Sequence, residues 1–519
     1  MLKEIDPMLR AKSSKLLAAI LTILIIMALT SSSHAIVWSA ETPLTTDADA
    51  DFAPVVTQAK DGKIWVVWHS WRYATPQYPN NAELMYRTSS DGGSHWSTET
   101  RLTNNPYTDG TPSITQTSDG KIWVVWTSDR YGNFDIFFKF SSTGGSSWSS
   151  EIPLTTNEAE DITPSITQTS DGKIWVVWTS GRAANDDIWY KTSPDNGATW
   201  TDDTQLTLDT SEDRYPSVMQ AENGTIWIVW TTDRNSNQFE IYYRTSSNGG
   251  SSWSPETRLT RDGSEDMFPS VTQAKDGTIW VVWDSDRIKV SGIPQLDLFY
   301  NTYAGATWAS SDTQLTTNDS DDFQPEIYQG KTHLWVVWTS NREGNNDIFY
   351  KTLFTPVHDV AVTSVTSPST TYFGHTVSVT VVVKNKGTIS ETFSVTAYRS
   401  GTAIGTQTVT LNPDDSTTLD FPWNTGTATM GARYTISATA QQVPGETDTS
   451  DNSLTDGEIH VKILGDIDGD NTVDIYDAIH MVVYFGEPAS SYPEADIDGD
   501  GYITIYDATY ITANYGKTV

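Results

Sequence analysis

Residues 119–130 read Asp-Gly-Lys-Ile-Trp-Val-Val-Trp-Thr-Ser-Asp-Arg. An apolar run of β-branched and aromatic residues entered from an Asp-Gly turn reads as a strand. Ile122, Val124 and Trp126 point to one face and Trp123 and Val125 to the other, so both faces need cover. The stretch recurs. Its second Trp returns as Trp68, Trp126, Trp178, Trp230, Trp283 and Trp338, roughly fifty to sixty residues apart, a period that belongs to repeat architectures. Each unit holds four short apolar runs bounded by Gly, Asp, Asn and Ser. The expectation is a six-bladed β-propeller of four-stranded blades over residues 36–355. The sixth unit stops after Lys351-Thr352, while Trp38-Ser39-Ala40-Glu41-Thr42 matches Trp96-Ser97-Thr98-Glu99-Thr100. The N-terminal segment should therefore complete the last blade and remove its free edge.

Two resemblances attach to these residues. SSDGGSHW (89–96), SSTGGSSW (141–148), SPDNGATW (193–200) and SSNGGSSW (246–253) resemble the Asp boxes, or BNR repeats, of sialidase-like propellers, and NTYAGATW (301–308) is a decayed copy. The Asp-x-x-Pro and DGKIWVVWTSDR elements also resemble the repeat of the Tol-system periplasmic protein. The first resemblance implies that the boxes lie between the third and fourth strands, on the face away from a sialidase active site.

The chain has 21 Trp. Twelve are the paired strand positions, five end the boxes and Trp38 is their counterpart in the N-terminal segment, which leaves Trp71, Trp189 and Trp423. This richness reads as core packing, with Trp71 alone on an expected loop. Every unit also repeats an Arg (Arg72, Arg130, Arg182, Arg234, Arg287, Arg342), an acid opening the third strand (Glu83, Asp135, Asp187, Glu240, Asp297, Asp347) and an Asp three residues before a Pro (Asp51, Asp109, Asp161, Asp213, Asp266, Asp322). A catalytic site must break the symmetry of its scaffold. A sixfold Arg–acid set reads instead as a clamp within each blade, and the Phe-Arg-Ile-Pro signature of sialidases is absent. Symmetry breaks in two loops, from Trp71 to Ala82 and from Ile288 to Leu296. Trp71, Tyr73 and Tyr78 are the candidate ligand residues there.

The bulk numbers narrow the classes. A net charge of -34 disfavours nucleic acid, which needs clustered Lys and Arg. The absence of cysteine excludes disulfides and thiolate metal sites. Residues 1–35 read as a signal peptide cleaved after Ala35, with a retained anchor as the competing reading. No membrane span is expected after cleavage, and the location should be extracellular or at the cell surface. Residues 356–463 alternate with period two, as in Val377-Ser378-Val379-Thr380-Val381, and read as an immunoglobulin-like sandwich. VVVKNKGT (381–388) and ETDTSDN (446–452) resemble the cell-adhesion-related CARDB domain of prokaryotic surface proteins.

The C-terminus carries DIDGDNTVDIYD (466–477) and DIDGDGYITIYD (496–507). Acids at positions 1, 3, 5 and 12 are the spacing with which a loop wraps oxygens around Ca2+. The candidate ligands are Asp466, Asp468, Asp470, the Thr472 carbonyl, Asp474 and Asp477, then Asp496, Asp498, Asp500, the Tyr502 carbonyl, Thr504 and Asp507. Over residues 464–519 the tandem loop–helix pattern is similar to a type I dockerin, a small α-helical module. That resemblance implies two bound Ca2+ ions and a cohesin-bearing partner contacted through Ile475-Tyr476 and Ile505-Tyr506. Both pairs sit at equivalent positions, so the module is expected to present one patch in two orientations. The combined expectation is a mainly β, secreted, non-catalytic protein docked into an extracellular assembly and linked to polysaccharide or another glycan. The alternatives are a sialidase-like glycoside hydrolase and a cell-surface adhesin.

Overall fold

The computed structural model describes residues 36–518 apart from 79–80, 183–184, 236–237, 471, 493–494 and 498. The expected signal peptide lies outside the described residues.

The unit around Trp126 shows how the repeat folds. Strands Asp109–Gln116, Ile122–Ser128, Asp135–Ser141 and Ile152–Pro153 pair antiparallel in chain order. Both faces of the second strand are covered, as its composition demands. Val124 and Trp126 pack with Trp65 and Val67 of the preceding sheet, and Trp123 and Val125 with Val176 and Trp178 of the following one. Six sheets repeat this plan among the described residues. Their inner strands neighbour one another in a closed ring, from Asp51–Gln58 round to Asp322–Gln329 and back. The result is a β-propeller.

The ring closes across the ends of the chain. Strand Thr42–Pro43 adds to Asp347–Phe354 with Thr42 opposite Tyr350, and Trp38 bridges Leu353. Trp38 meets Trp280 edge-on at 6.0 Å, so the N-terminal segment ties into the core as well as the sheet. In four of the other sheets the fourth strand is short and the box Trp precedes it, whereas in the fifth unit Trp308 lies within a short strand of its own, Thr307–Trp308, ahead of Thr313–Gln314.

One expected loop is not a loop. Residues 288–296 belong to a hairpin formed by Ile279–Val290 and Ile293–Ala304, turning at Ser291 (φ 54) and Gly292 (φ 84). Ile288 pairs Gln295 and Val290 pairs Ile293. The β-branched Ile288, Val290 and Ile293 prolong the ladder beyond the blade.

Residues 360–462 form a three-stranded sheet and a five-stranded sheet. Between them lie Val379, Val381, Val395, Phe421, Trp423, Ile436 and Ile459. The last segment holds two helices, α1 (Ile475–Tyr484) and α2 (Ile505–Asn514), around a small core of Ile467, Val473, Met481, Ile497, Ile503 and Ile511.

Candidate functional site

The repeated charges form clamps. Arg130 meets Asp109 at 2.8 Å and Glu151 at 2.6 Å, and its guanidinium lies 4.2 Å over the Phe137 ring. Arg182 takes Asp161 and Asp203 and stacks on Trp189, which explains that otherwise unassigned Trp. Arg342 takes Asp322 and, from the chain start, Glu41 at 2.6 Å. The Arg therefore joins the inner strand to the segment entering the outer strand. The third-strand acids belong to a different device. Asp135 accepts from the Thr155 hydroxyl at 3.1 Å and Asp187 from Thr207 at 3.0 Å. Glu240 likewise accepts from the Thr260 hydroxyl at 2.7 Å, and Glu83 and Glu240 pair in addition with Arg101 and Arg258. Burial pushes the Asp135, Asp187, Asp297 and Asp347 carboxyls up to about 6.

The Asp boxes form the turns between third and fourth strands. In SSTGGSSW, the Gly145 amide donates to Ser141 Oγ at 2.9 Å. Gly145 has φ +89, and a Cβ there would run into the Trp65 ring of the neighbouring blade. Only glycine allows that approach. The boxes thus lie at the opposite end of the strands from the loop that carries Trp71.

That other end holds the axial mouth. A register shift in each inner strand puts the residue before its Pro at positive φ: Ala53, Thr111, Thr163, Tyr215, Phe268 and Gln324, at 44 to 56°. Several of their amides cross to the preceding blade. The Thr163 amide donates to Thr127 Oγ1 at 3.0 Å, Tyr215 to Thr179 Oγ1 at 3.1 Å and Gln324 to Asp284 Oδ2 at 2.8 Å. Sequence reasoning missed this belt. Its only trace is that the residue after the second Trp is a hydroxyl residue in four units and His69 or Asp284 in the others.

Five of the six belt residues, all but Ala53, line a cavity of 320 Å3 together with Trp71 and Phe134. Trp71 is 43% exposed at its rim. Tyr215 and Phe268 stack on each other in its wall at 3.9 Å. Burial lowers His69 to about 4 and raises Asp284 to about 8, so both are neutral near pH 7. Among the described residues, no Lys or Arg lines the cavity or the narrow channel below it. Of the other candidates, Tyr73 lies beneath the Arg101 guanidinium at 3.8 Å and serves the scaffold. Tyr78 is exposed in a small turn bridged to Thr75.

The C-terminal loops are built from their caps. Asp474 N-caps α1, accepting from the Tyr476 amide at 2.7 Å, and the Asp474 amide donates to Asp477 Oδ2 at 2.7 Å. Thr504 and Asp507 repeat this box on α2. The buried Asp477 also accepts from the Ile467 amide at 2.6 Å, as Asp507 does from Ile497 at 2.7 Å. Each position-12 Asp therefore straps the start of its loop to the first turn of its helix. In the first loop Asp466, Asp468 and Asp470 converge, each offering an oxygen within 4.8 Å of the others. Asp474 is occupied as a cap. Thr472 bridges Thr518, and Tyr502 bridges Pro488. In the second loop Asp496 accepts from Gly499, Asp500 and Gly501 amides, and the Tyr502 amide donates to Asp500 at 2.9 Å. Asp498 lies outside the described residues. Three like charges gathered on hard oxygens are a donor set suited to Ca2+. Ile475, Tyr476, Ile505 and Tyr506 are all exposed.

Two family models match this chain. Residues 23–281 match the BNR repeat-like domain and residues 357–456 match CARDB. The chain carries a BNR repeat-like propeller followed by a CARDB domain. A crystal structure of a protein of unknown function from Dyadobacter fermentans is similar at 15% identity and a TM-score of 0.52, covering 62% of this chain and 100% of that one. An alpha-L-arabinanase from Penicillium chrysogenum (17% identity, TM-score 0.48) covers 61% of this chain and 98% of that one. A Streptococcus pneumoniae sialidase (11% identity, TM-score 0.48) covers 63% and 72%. No curated protein matches. In this BNR domain the repeated Arg residues are spent on clamps. Among the described residues, none faces the mouth. No helix among the described residues is long and apolar enough to cross a membrane.

Proposed function

We propose that this chain is a secreted, non-catalytic modular protein. Its six-bladed propeller presents a glycan-binding mouth, its CARDB domain acts as a spacer, and its dockerin-like end docks onto a cohesin-bearing extracellular protein. The observation that carries the reading is the C-terminal pair of loop–helix units. Each is strapped by a buried Asp and shows an exposed Ile-Tyr pair, and three carboxylates converge in the first. Two Ca2+ ions would be held by the acids of the two loops. Asp466, Asp468 and Asp470 supply the first set, while Asp496 and Asp500 belong to the second. The ions would relieve the mutual repulsion of these carboxylates and so fix the helices. The glycan is proposed as neutral. An anionic sugar needs a cation to pair its carboxylate, and the mouth offers aromatic faces and uncharged groups instead.

Binding of the full chain to recombinant cohesin modules, measured by surface plasmon resonance, tests the docking claim. Binding in calcium that is lost in EGTA is expected. Binding indifferent to EGTA, or none to any cohesin, overturns it.

A further inference from the structure

The two loop–helix units bury and expose their residues in the same order. Ile467 matches Ile497, Val473 matches Ile503, Asp477 matches Asp507 and Met481 matches Ile511, all buried. On the solvent side Ile475-Tyr476 matches Ile505-Tyr506. At the helix ends the exposed Phe485 matches the exposed Tyr515, but along the helices between these positions the outer faces differ. Ile479, Val482 and Val483 are 52%, 73% and 66% exposed, and their equivalents are the exposed Thr509, Thr512 and Ala513. Thr509 and Thr512 donate their hydroxyls to the carbonyls of Tyr506 and Thr509, which leaves α2 content in water.

Folding does not require this difference, because the fold treats both positions alike. Positions 475, 479, 482 and 483 form one stripe of a helix. In α1 the stripe is Ile, Ile, Val, Val, continued by the exposed Phe485. The opposite side of α1, through Ala478 and Met481, packs on the module core. A ten-residue helix that is apolar on its buried side and apolar again toward solvent has a second face to cover.

We infer that the α1 stripe is the docking face and that the module engages its partner in one orientation, not two. This rests on the docking reading above. The occupant is a protein surface with an apolar patch edged by Lys and Arg. α1 contains no Lys or Arg, the acids of its own loop and Glu487 flank it, and the whole chain carries -34. A second copy or an anionic lipid surface would meet like charge.

The test uses the calcium-loaded full chain and recombinant cohesin modules. Ile479→Thr, Val482→Thr and Val483→Ala together give α1 the stripe of α2, a sequence this fold already accommodates. The expected result is a loss of about a hundredfold in affinity, since apolar anchors at the centre of an interface dominate binding. The reverse set, Thr509→Ile, Thr512→Val and Ala513→Val, should leave the native site unchanged. A loss of less than about threefold in the first set, with a large loss in Tyr506→Asp, places the interface on α2 and overturns the inference while keeping the docking reading. Calcium uptake without binding to any cohesin overturns both. Sedimentation velocity adds an independent arm: a dimer abolished by the first set assigns the stripe to a second copy and overturns the proposed partner.

Discussion

The propeller and the C-terminal pair are both repeats, and they diverge in different places. In the propeller the Arg clamps, the box glycines and the paired Trp residues recur, while the belt around the mouth varies from Thr163 to Tyr215, Phe268 and Gln324. In the pair the strapping Asp477 and Asp507 and the buried cores recur, while the outer stripe varies from Ile479 to Thr509. Positions that a repeat must keep are those whose environment the fold recreates each time. Positions that differ at the same burial are released from folding and are the place to look for function.

The comparison can be broken first at the propeller seam. Deleting residues 36–46 removes Trp38 from its contact with Trp280, the strand on Asp347–Phe354 and the Glu41 half of the sixth clamp. A loss of roughly 4 kcal/mol or more is expected, read as a drop in the propeller melting temperature. An unchanged melt contradicts the seam. A smaller effect is expected at the kept glycines. Gly145→Ala places a Cβ against Trp65 at positive φ and should cost about 2 kcal/mol in chemical denaturation. A neutral result would mean that the box turn shifts freely and that its glycine is not a packing requirement.

The third-strand acids sharpen the comparison within the propeller itself. Two blades add an Arg to the acid, whereas Asp135, Asp187, Asp297 and Asp347 have their hydroxyl partners without an ion pair among the described residues. Their folded values of about 6 lie above the ordinary 3.8. Between these values the folded chain binds more protons than the unfolded one, so stability falls as pH rises from about 4 to about 6. Asp135→Asn should flatten that decline by up to about 3 kcal/mol, measured as melting temperature against pH. A decline of the same size in the variant rules out Asp135 as a contributor.

Much of this was legible in the residues. The Trp-Val-Val-Trp period gave the repeat, the match of Trp38 to Trp96 gave the seam, and the acid spacing located the loops. What escaped depends on partners distant in sequence. The Arg130 partner Glu151 and the Asp135 partner Thr155 are ordinary polar residues until the fourth strand returns beside them. The strained pre-proline belt is invisible because nothing in Thr163 or Phe268 announces positive φ. The hairpin at 288–296 was misread as a loop because its turn, Ser291-Gly292, sits inside what looks like an insertion. The equality of burial between α1 and α2 needed coordinates, since the sequence shows only that the two stripes differ.

The most direct measurement of the account is calorimetric titration of calcium into the chelator-treated full chain. Two ions per chain are expected. Asp468→Asn with Asp470→Asn should remove one of them while the second loop still binds, because each loop is strapped by its own Asp. A wild-type chain that takes up no calcium, or a double variant that still takes up two ions, contradicts the account.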